Sequence, residues 1–258
     1  MVTFDDKRCA ADASNANPDY WNGLAKAGSL AAVIDPKDDR GLKNSYIAGR
    51  RDNAVLGSLN RTHRLVLDMG CGTGSLSEAI STSGRDVLGI DIAEELLVLA
   101  SRRTFASQVG FVCYSGYPVP LENAVVDAIT IYVVLTYMQD DQYVVSVLSE
   151  LHRVLKPGGR LVMIEQCRRR RQVERGGHKV QRSIKEFVAM LEGAGFDALA
   201  PRVVRHGRFP LLALMRFGWL GTAHFDWIAC LEQIYSRWRG IPWRSDYVEV
   251  LFVAERIG

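Results

Sequence analysis

Short apolar runs alternate with amphipathic stretches along most of this chain, and each change of period marks a change of element. Leu65-Val66-Leu67 ends at Asp68, and after a glycine-rich turn Leu76, Ala79 and Ile80 recur at helical spacing until Gly84. Val87-Leu88-Gly89-Ile90 reads as a second buried strand ending at Asp91, with Leu96, Leu97 and Ala100 on the helix that follows. Phe111 to Tyr114 and Ala128 to Val134 supply a third and a fourth strand. Val144, Val147, Leu148, Leu151, Val154 and Leu155 share one helical face that stops at Lys156-Pro157-Gly158-Gly159, before a fifth strand at Leu161–Ile164. Ser183 with Glu186 three residues on has the form of a capping box, opening a helix that ends near Gly195. Phe196 to Val204 and Tyr247 to Ala254 complete seven strands. Strands alternating with helices predict an α/β fold with a doubly wound, mostly parallel sheet.

Two stretches do not follow this rhythm. Residues 1–62 carry mixed, mostly helical signals punctuated by Pro18 and Pro36, and are read as an N-terminal helical lid. Residues 207–244, rich in Phe, Trp and Leu, exceed an ordinary connection. They are read as a helical insertion capping an acceptor site, between a core at 63–206 and the last strand at 245–258.

The chemistry concentrates in Leu67-Asp68-Met69-Gly70-Cys71-Gly72-Thr73-Gly74. Glycines let a backbone turn sharply and approach a ligand at a helix amino terminus. Here the run follows a strand, opens a helix, and carries an acid two residues before its first glycine. A second strand-ending acid, Asp91, follows 21 residues after Gly70. An acid at that point can accept hydrogen bonds from ribose hydroxyls, which suits adenosine cofactors in general. The spacing separates them. Glycines at every second position suit a cofactor with no pyrophosphate to cradle, whereas the dinucleotide pattern leaves two residues before its third glycine, so a nicotinamide dehydrogenase is disfavoured.

Together with Leu151-His152-Arg153-Val154-Leu155-Lys156-Pro157-Gly158-Gly159, these residues resemble the class I S-adenosylmethionine-dependent methyltransferases over about residues 64 to 197. The resemblance implies a Rossmann-like seven-stranded sheet whose antiparallel last strand lies between strands five and six. S-adenosyl-L-methionine would lie across the carboxyl ends of the first two strands. Gly70, Gly72 and Gly74, with Cys71 in the same loop, would line its methionine portion. Asp68 would brace that loop and receive the ammonium group, Asp91 would hold the ribose, and Ile92 would pack on the adenine. Where family members often place an acid after the third strand, this chain has Ser115, able to accept a hydrogen bond, and then Gly116, whose amide could donate to the ring. In the lid, Tyr46 with Lys43 or Arg50 is a candidate for the methionine carboxylate.

The acceptor is less sharply drawn. Ile131-Tyr132-Val133-Val134 lacks the Asn/Asp-Pro-Pro-aromatic pattern of exocyclic-amine base methylation, and no Pro-Cys nucleophile is present, so nucleic acid is disfavoured. The expected reaction is methyl transfer to a hydroxyl oxygen of a small molecule or glycan. Candidate general bases are His178, His206, His224 and Glu165, each read first as an ordinary structural residue. The basic run Arg168 to Arg171 reads first as a solvated loop and second as a contact for an anionic acceptor. Trp219, Phe225, Trp227, Tyr235, Trp238 and Trp243 read most simply as a small hydrophobic core. A nucleic-acid methyltransferase and a non-catalytic cofactor-binding sensor or scaffold stand as the alternatives.

Bulk properties narrow the setting. A formal charge of +3 over 258 residues does not by itself imply a polyanionic partner. Five cysteines without CxxC spacing point to a reducing compartment and give no zinc site. The amino terminus lacks the apolar core of a signal peptide, so the cytoplasm is the expected location. The most apolar stretch, Phe209 to Leu231, is interrupted by Arg216, His224 and Asp226; it makes a poor span but leaves peripheral membrane contact open.

Overall fold

The computed structural model describes residues 2–3, 17–174, 178–239 and 247–257. A two-residue strand β1 (Val2–Thr3) precedes three helices, α1 (Pro18–Leu24), α2 (Ser29–Val33) and α3 (Leu42–Leu56). The alternating region runs β2 (Leu65–Met69), α4 (Ser75–Thr82), β3 (Asp86–Asp91), α5 (Glu94–Ala100), β4 (Val109–Cys113), β5 (Val126–Tyr132), α6 (Asp141–Val154) and β6 (Leu155–Cys167). It continues through a small hairpin, β7 (Gln172–Val173) and β8 (Val180–Gln181), then α7 (Ile184–Gly193), β9 (Phe196–Ala198), β10 (Arg202–His206), α8 (Leu211–Arg216), α9 (Phe225–Arg239) and β11 (Val248–Arg256).

The main sheet has the order β1-β4-β3-β2-β5-β6-β11-β10, with β9 also paired to β11. β1 to β6 are parallel, and β11 runs antiparallel between β6 and β10. The fold is therefore the α/β sheet with the inserted antiparallel strand that the resemblance implies. Alternation along each strand sends side chains to two cores. Leu67, Ile129 and Phe252 meet Leu148, Leu151 and Phe187 on one face, while Val66, Ala128 and Val162 meet Val55, Leu76 and Ile80 on the other. Each fully buried aliphatic side chain contributes about 1.5–3 kcal/mol relative to exposure.

Three local features depart from the sequence reading. β6 begins at Leu155, directly after α6, so Lys156-Pro157-Gly158-Gly159 continues as strand rather than forming a connecting turn. Gly159 makes this approach feasible, since a Cβ there would lie 2.8 Å from Leu155 Cγ and 2.9 Å from the Asp127 carbonyl oxygen. The single sixth strand expected over Phe196–Val204 is split into β9 and β10. Pro201 has no N–H to give to the ladder, and the register on β11 shifts between Val203 and Arg205. Finally, Val2–Thr3 pairs in parallel with Phe111–Val112, a strand within a stretch read as mostly helical.

The region between β10 and β11 packs on α3: Phe209, Leu212, Met215 and Ile228 form a cluster with Tyr46 and Ile47. Phe225 and Tyr235 lie against it, but Trp219 is 76% exposed and Trp227 43% exposed, so the aromatic residues do not form one core. Trp243 lies outside the described residues. Among the described residues no helix is long and apolar enough to cross a membrane.

Candidate cofactor and acceptor site

The turn from β2 into α4 supplies the floor of a cavity. Gly70 and Gly72 have φ of 67° and 52°, in the left-handed region that glycine enters without steric cost. A side chain at Gly70 would run into Val134, and a Cβ at Gly72 would lie 2.8 Å from Val33 Cγ1. Asp91, at the end of β3, fixes this loop: Oδ2 accepts from the Gly72 amide at 2.7 Å and Oδ1 from the Ala93 amide at 2.9 Å. Asp68, at the end of β2, accepts from Ser77 Oγ at 2.6 Å and Thr130 Oγ1 at 2.9 Å. Burial pushes its carboxyl up to about 6, against the pull of those two hydroxyls and of Arg51. Burial likewise raises Asp91, against the amides that favour its ionised form.

Gly70, Cys71, Gly72, Asp68, Asp91, Ile92 and Gly116 all line this one cavity. Its far wall is apolar, with Leu96, Tyr114 and Met138; its roof comes from Trp21 on α1 and Val33 at the end of α2. The other sequence candidates lie elsewhere. Gly74 is absent from the lining and faces the domain interior, where a Cβ would lie 3.0 Å from Ala100 Cβ and 3.2 Å from Phe111 Cζ. Ser115 is exposed, with its hydroxyl donating to the Tyr117 carbonyl at 3.2 Å. Tyr46 points to the opposite side of α3 and donates to Glu232 Oε2 at 2.7 Å.

Helical spacing explains the last displacement. Tyr46 and Arg50, four apart, face α9 and β10, where Arg50 donates to the Val204 carbonyl at 2.7 Å. Lys43, Ile47 and Arg51, also four apart, face the sheet's carboxyl edge. Arg51 is a site residue that the sequence reading missed. It is 3% exposed, its Nη1 donates to Ser75 Oγ at 3.0 Å, and its guanidinium lies 5.2 Å from the centroid of Tyr132. Among the described residues it is the only cation lining the cavity.

After β5 the chain makes a tight bend at Val133, whose φ of 54° is costly for a β-branched residue. Glu165 holds that bend. Its Oε1 accepts from the Val134 and Leu135 amides at 2.9 and 2.7 Å, and Oε2 from the Thr136 amide and hydroxyl at 3.1 and 2.6 Å. Arg182, fully buried, supports the next turn by donating to the Leu135 and Met138 carbonyls at 3.0 and 2.8 Å and pairing with Asp141 at 2.7 Å. Part of the basic run serves the same segment: Arg171 pairs with Asp141 at 2.5 Å and Arg168 donates to Gln181, while Arg169 and Arg170 are exposed.

Val33, Tyr132, Val133 and Tyr137 line both this cavity and a second one beyond the ends of β5, β6 and β11. The second chamber adds Ile34, Asp35, Lys43, Ile47, Gln166, Lys179, Arg205, Tyr247 and Glu249. Arg205 and Glu249 form a buried bidentate pair at 2.5 and 2.8 Å, with the Tyr132 hydroxyl 3.3 Å from Glu249. None of the four candidate bases lines either chamber. Glu165 is filled by its four donors. His206 sits 2.8 Å from Ser236 Oγ, His224 bonds Gly221, and exposed His178 stacks on Tyr20 at 5.3 Å.

A parallel sheet with a glycine bend and two acids at its carboxyl edge defines a nucleoside-binding α/β domain. Residues 67–163 match the family model described as a methyltransferase domain. The chain is 36% identical over 107 residues to a demethylmenaquinone methyltransferase of Lactococcus lactis, covering 39% of this chain and 41% of that protein. It is 28% identical to a ubiquinone biosynthesis O-methyltransferase of Xanthomonas campestris, over 73% of this chain and 74% of that one. The structure of a geranyl diphosphate C-methyltransferase from Streptomyces coelicolor superposes with a TM-score of 0.64 at 19% identity, covering 93% and 96% of the two chains. Residues 67–163 thus match a methyltransferase domain, and these likenesses support a class I S-adenosylmethionine-dependent methyltransferase, while the chain spans less than half the length of the Lactococcus relative.

Proposed function

We propose that this protein transfers a methyl group from S-adenosyl-L-methionine to a hydroxyl oxygen of a small molecule or glycan. The observation that carries the reading is adjacency: a cavity holding the glycine bend, Asp68, Asp91 and Arg51 shares Val33, Tyr132, Val133 and Tyr137 with a second, polar chamber. The donor set fits the cofactor. Asp91 uses one lone pair on each oxygen for a backbone amide and keeps others for ribose hydroxyls. Asp68 would receive the ammonium group, Arg51, whose Nε and Nη2 also pair with Asp52 at 2.8 and 2.7 Å, would meet the carboxylate, and Ile92, Leu96 and Met138 would pack on the adenine with the Gly116 amide nearby. The bound sulfonium supplies an electrophilic methyl carbon, to which the acceptor oxygen bonds as the carbon–sulfur bond breaks and sulfur keeps the electron pair.

The protein's own contribution is placement. Glu165 and Arg182 hold the strained Val133 bend that forms the neck between the chambers, so the acceptor is aligned rather than deprotonated by an adjacent base. The helices before β2 act as a lid over the first chamber through Trp21 and Val33. The insertion acts at one remove: Glu232 on α9 accepts from Tyr46 and from the His206 amide at 2.7 Å each, bracing the outer side of α3 while its inner side lines the site.

Mass spectrometry of products from a panel of phenols, sugars and nucleosides tests the reading. A mass gain of one methyl group on a small hydroxyl compound supports it. Methylation confined to nucleic acid would replace it.

A further inference from the structure

The second chamber has a charge pattern that selects among hydroxyl acceptors. Lys43 is paired with Asp35 at 2.6 Å, and Arg205 with Glu249 at 2.5 Å. Lys179 is the remaining cation. Its ammonium lies 5.1 Å from the centroid of Tyr137, and no carboxylate among the described residues pairs with it. The chamber therefore carries one net positive charge, set against a ring of Tyr137 that also forms the neck.

The same inventory restricts the nucleophile. Asp35 and Glu249 are the carboxylates of the chamber, and both are engaged, the first with Lys43 and the second with Arg205 and Tyr132. Among the described residues of the lining, neither carboxylate is left free to take the proton of an alkyl hydroxyl. A phenolic hydroxyl, with an ordinary pKa of about 10, ionises far more readily. It can release its proton to water before attack. Tyr137, Tyr247, Ile34 and Ile47 in the lining offer flat and apolar surfaces to a ring.

Resting on the methyl-transfer reading, we propose that this chamber binds a small phenolic acid. Its carboxylate pairs with Lys179, its ring lies against Tyr137 and Tyr247, and its hydroxyl sits at the neck beside Tyr132 and Val133. Lys179 is then a specificity-determining residue, contributed by the short hairpin β7–β8 that follows the basic run.

Calorimetric titration of the S-adenosylhomocysteine-loaded protein tests this with 4-hydroxybenzoate and its neutral isostere 4-hydroxybenzamide. The expected result is at least about tenfold tighter binding of the acid. Lys179→Gln should remove that preference while leaving S-adenosylhomocysteine affinity and the melting temperature unchanged. Equal affinity for the two probes, a preference that survives in K179Q, or binding of neither probe to loaded protein would overturn the proposal. Failure of the wild-type protein to bind S-adenosylhomocysteine would instead overturn the reading beneath it.

Discussion

The two chambers are neighbours sharing four residues, yet they are built in opposite ways. Apart from Arg51 on α3, the first takes most of its polar contacts from one contiguous bend and the acid of the next strand, Asp68 to Gly72 and Asp91, and much of its chemistry is backbone. The second gathers Val33, Lys43, Tyr132, Gln166, Lys179, Arg205 and Glu249 from seven separate elements and loops, and its chemistry is side-chain charge. A backbone cradle can be conserved in form by a few glycines that nothing else replaces. A side-chain chamber can be respecified one residue at a time without disturbing the sheet. Binding of the common reagent and choice of acceptor are thus physically separable here.

That separation can be strained most at the neck. Glu165→Ala leaves two buried amides, one half-buried amide and a buried hydroxyl without their acceptor, and is expected to cost about 3–5 kcal/mol in urea unfolding. A loss under about 1 kcal/mol would mean that the bend at Val133 is held by something other than Glu165.

Next in size is pH. Asp68 titrates at about 6 in the folded protein. Because that lies above its ordinary carboxylate value of 3.9, the folded state holds the proton more tightly than the unfolded state. The free protein should therefore lose up to about 3 kcal/mol as pH rises from about 4 to about 6, and then level off. Cofactor binding should respond with the opposite sign. It needs the ionised form beside an ammonium group, so S-adenosylhomocysteine affinity should fall by up to about tenfold per unit below pH 6. Affinity that is flat from pH 7 to 5 would detach Asp68 from the ligand.

Smaller again is Gly70→Ala. The new methyl group falls within Val134 and the residue must hold a positive φ, for a cost of about 1–3 kcal/mol in stability with weakened S-adenosylhomocysteine binding. Adding Val134→Ala should recover part of both. Tyr46→Phe sharpens the contrast from the other side. It removes the hydrogen bond to Glu232, should cost about 1 kcal/mol in thermal unfolding, and should leave cofactor affinity unchanged. A drop in affinity would return Tyr46 to the cofactor.

The order of strands and helices was legible because a parallel sheet covered on both faces writes itself as short apolar runs between amphipathic helices. The first chamber was legible for a related reason, since glycines at Gly70 and Gly72 and an acid ending each strand are local in the chain. Gly74 looked equivalent by spacing, but its missing side chain serves packing against Ala100 and Phe111, a distinction only the third dimension supplies. Tyr46 and Arg51 sit five residues apart on one helix, and the pattern alone did not reveal which face met the sheet edge. Glu165 ended a strand where catalytic acids are found, but its oxygens are consumed by the turn that follows β5. The second chamber left no trace in sequence because no two of its charged residues are near neighbours along the chain.

The central claim is that the cavity beside the glycine bend is an adenosyl sulfonium site gripped by Asp91. Calorimetric titration of the wild-type protein and of Asp91→Ala with S-adenosylhomocysteine, alongside NAD, measures it most directly. S-adenosylhomocysteine should bind and NAD should not, and the variant should bind S-adenosylhomocysteine more weakly by about 1.5–3 kcal/mol. Binding of NAD in its place, or an affinity that Asp91→Ala leaves untouched, would contradict the claim.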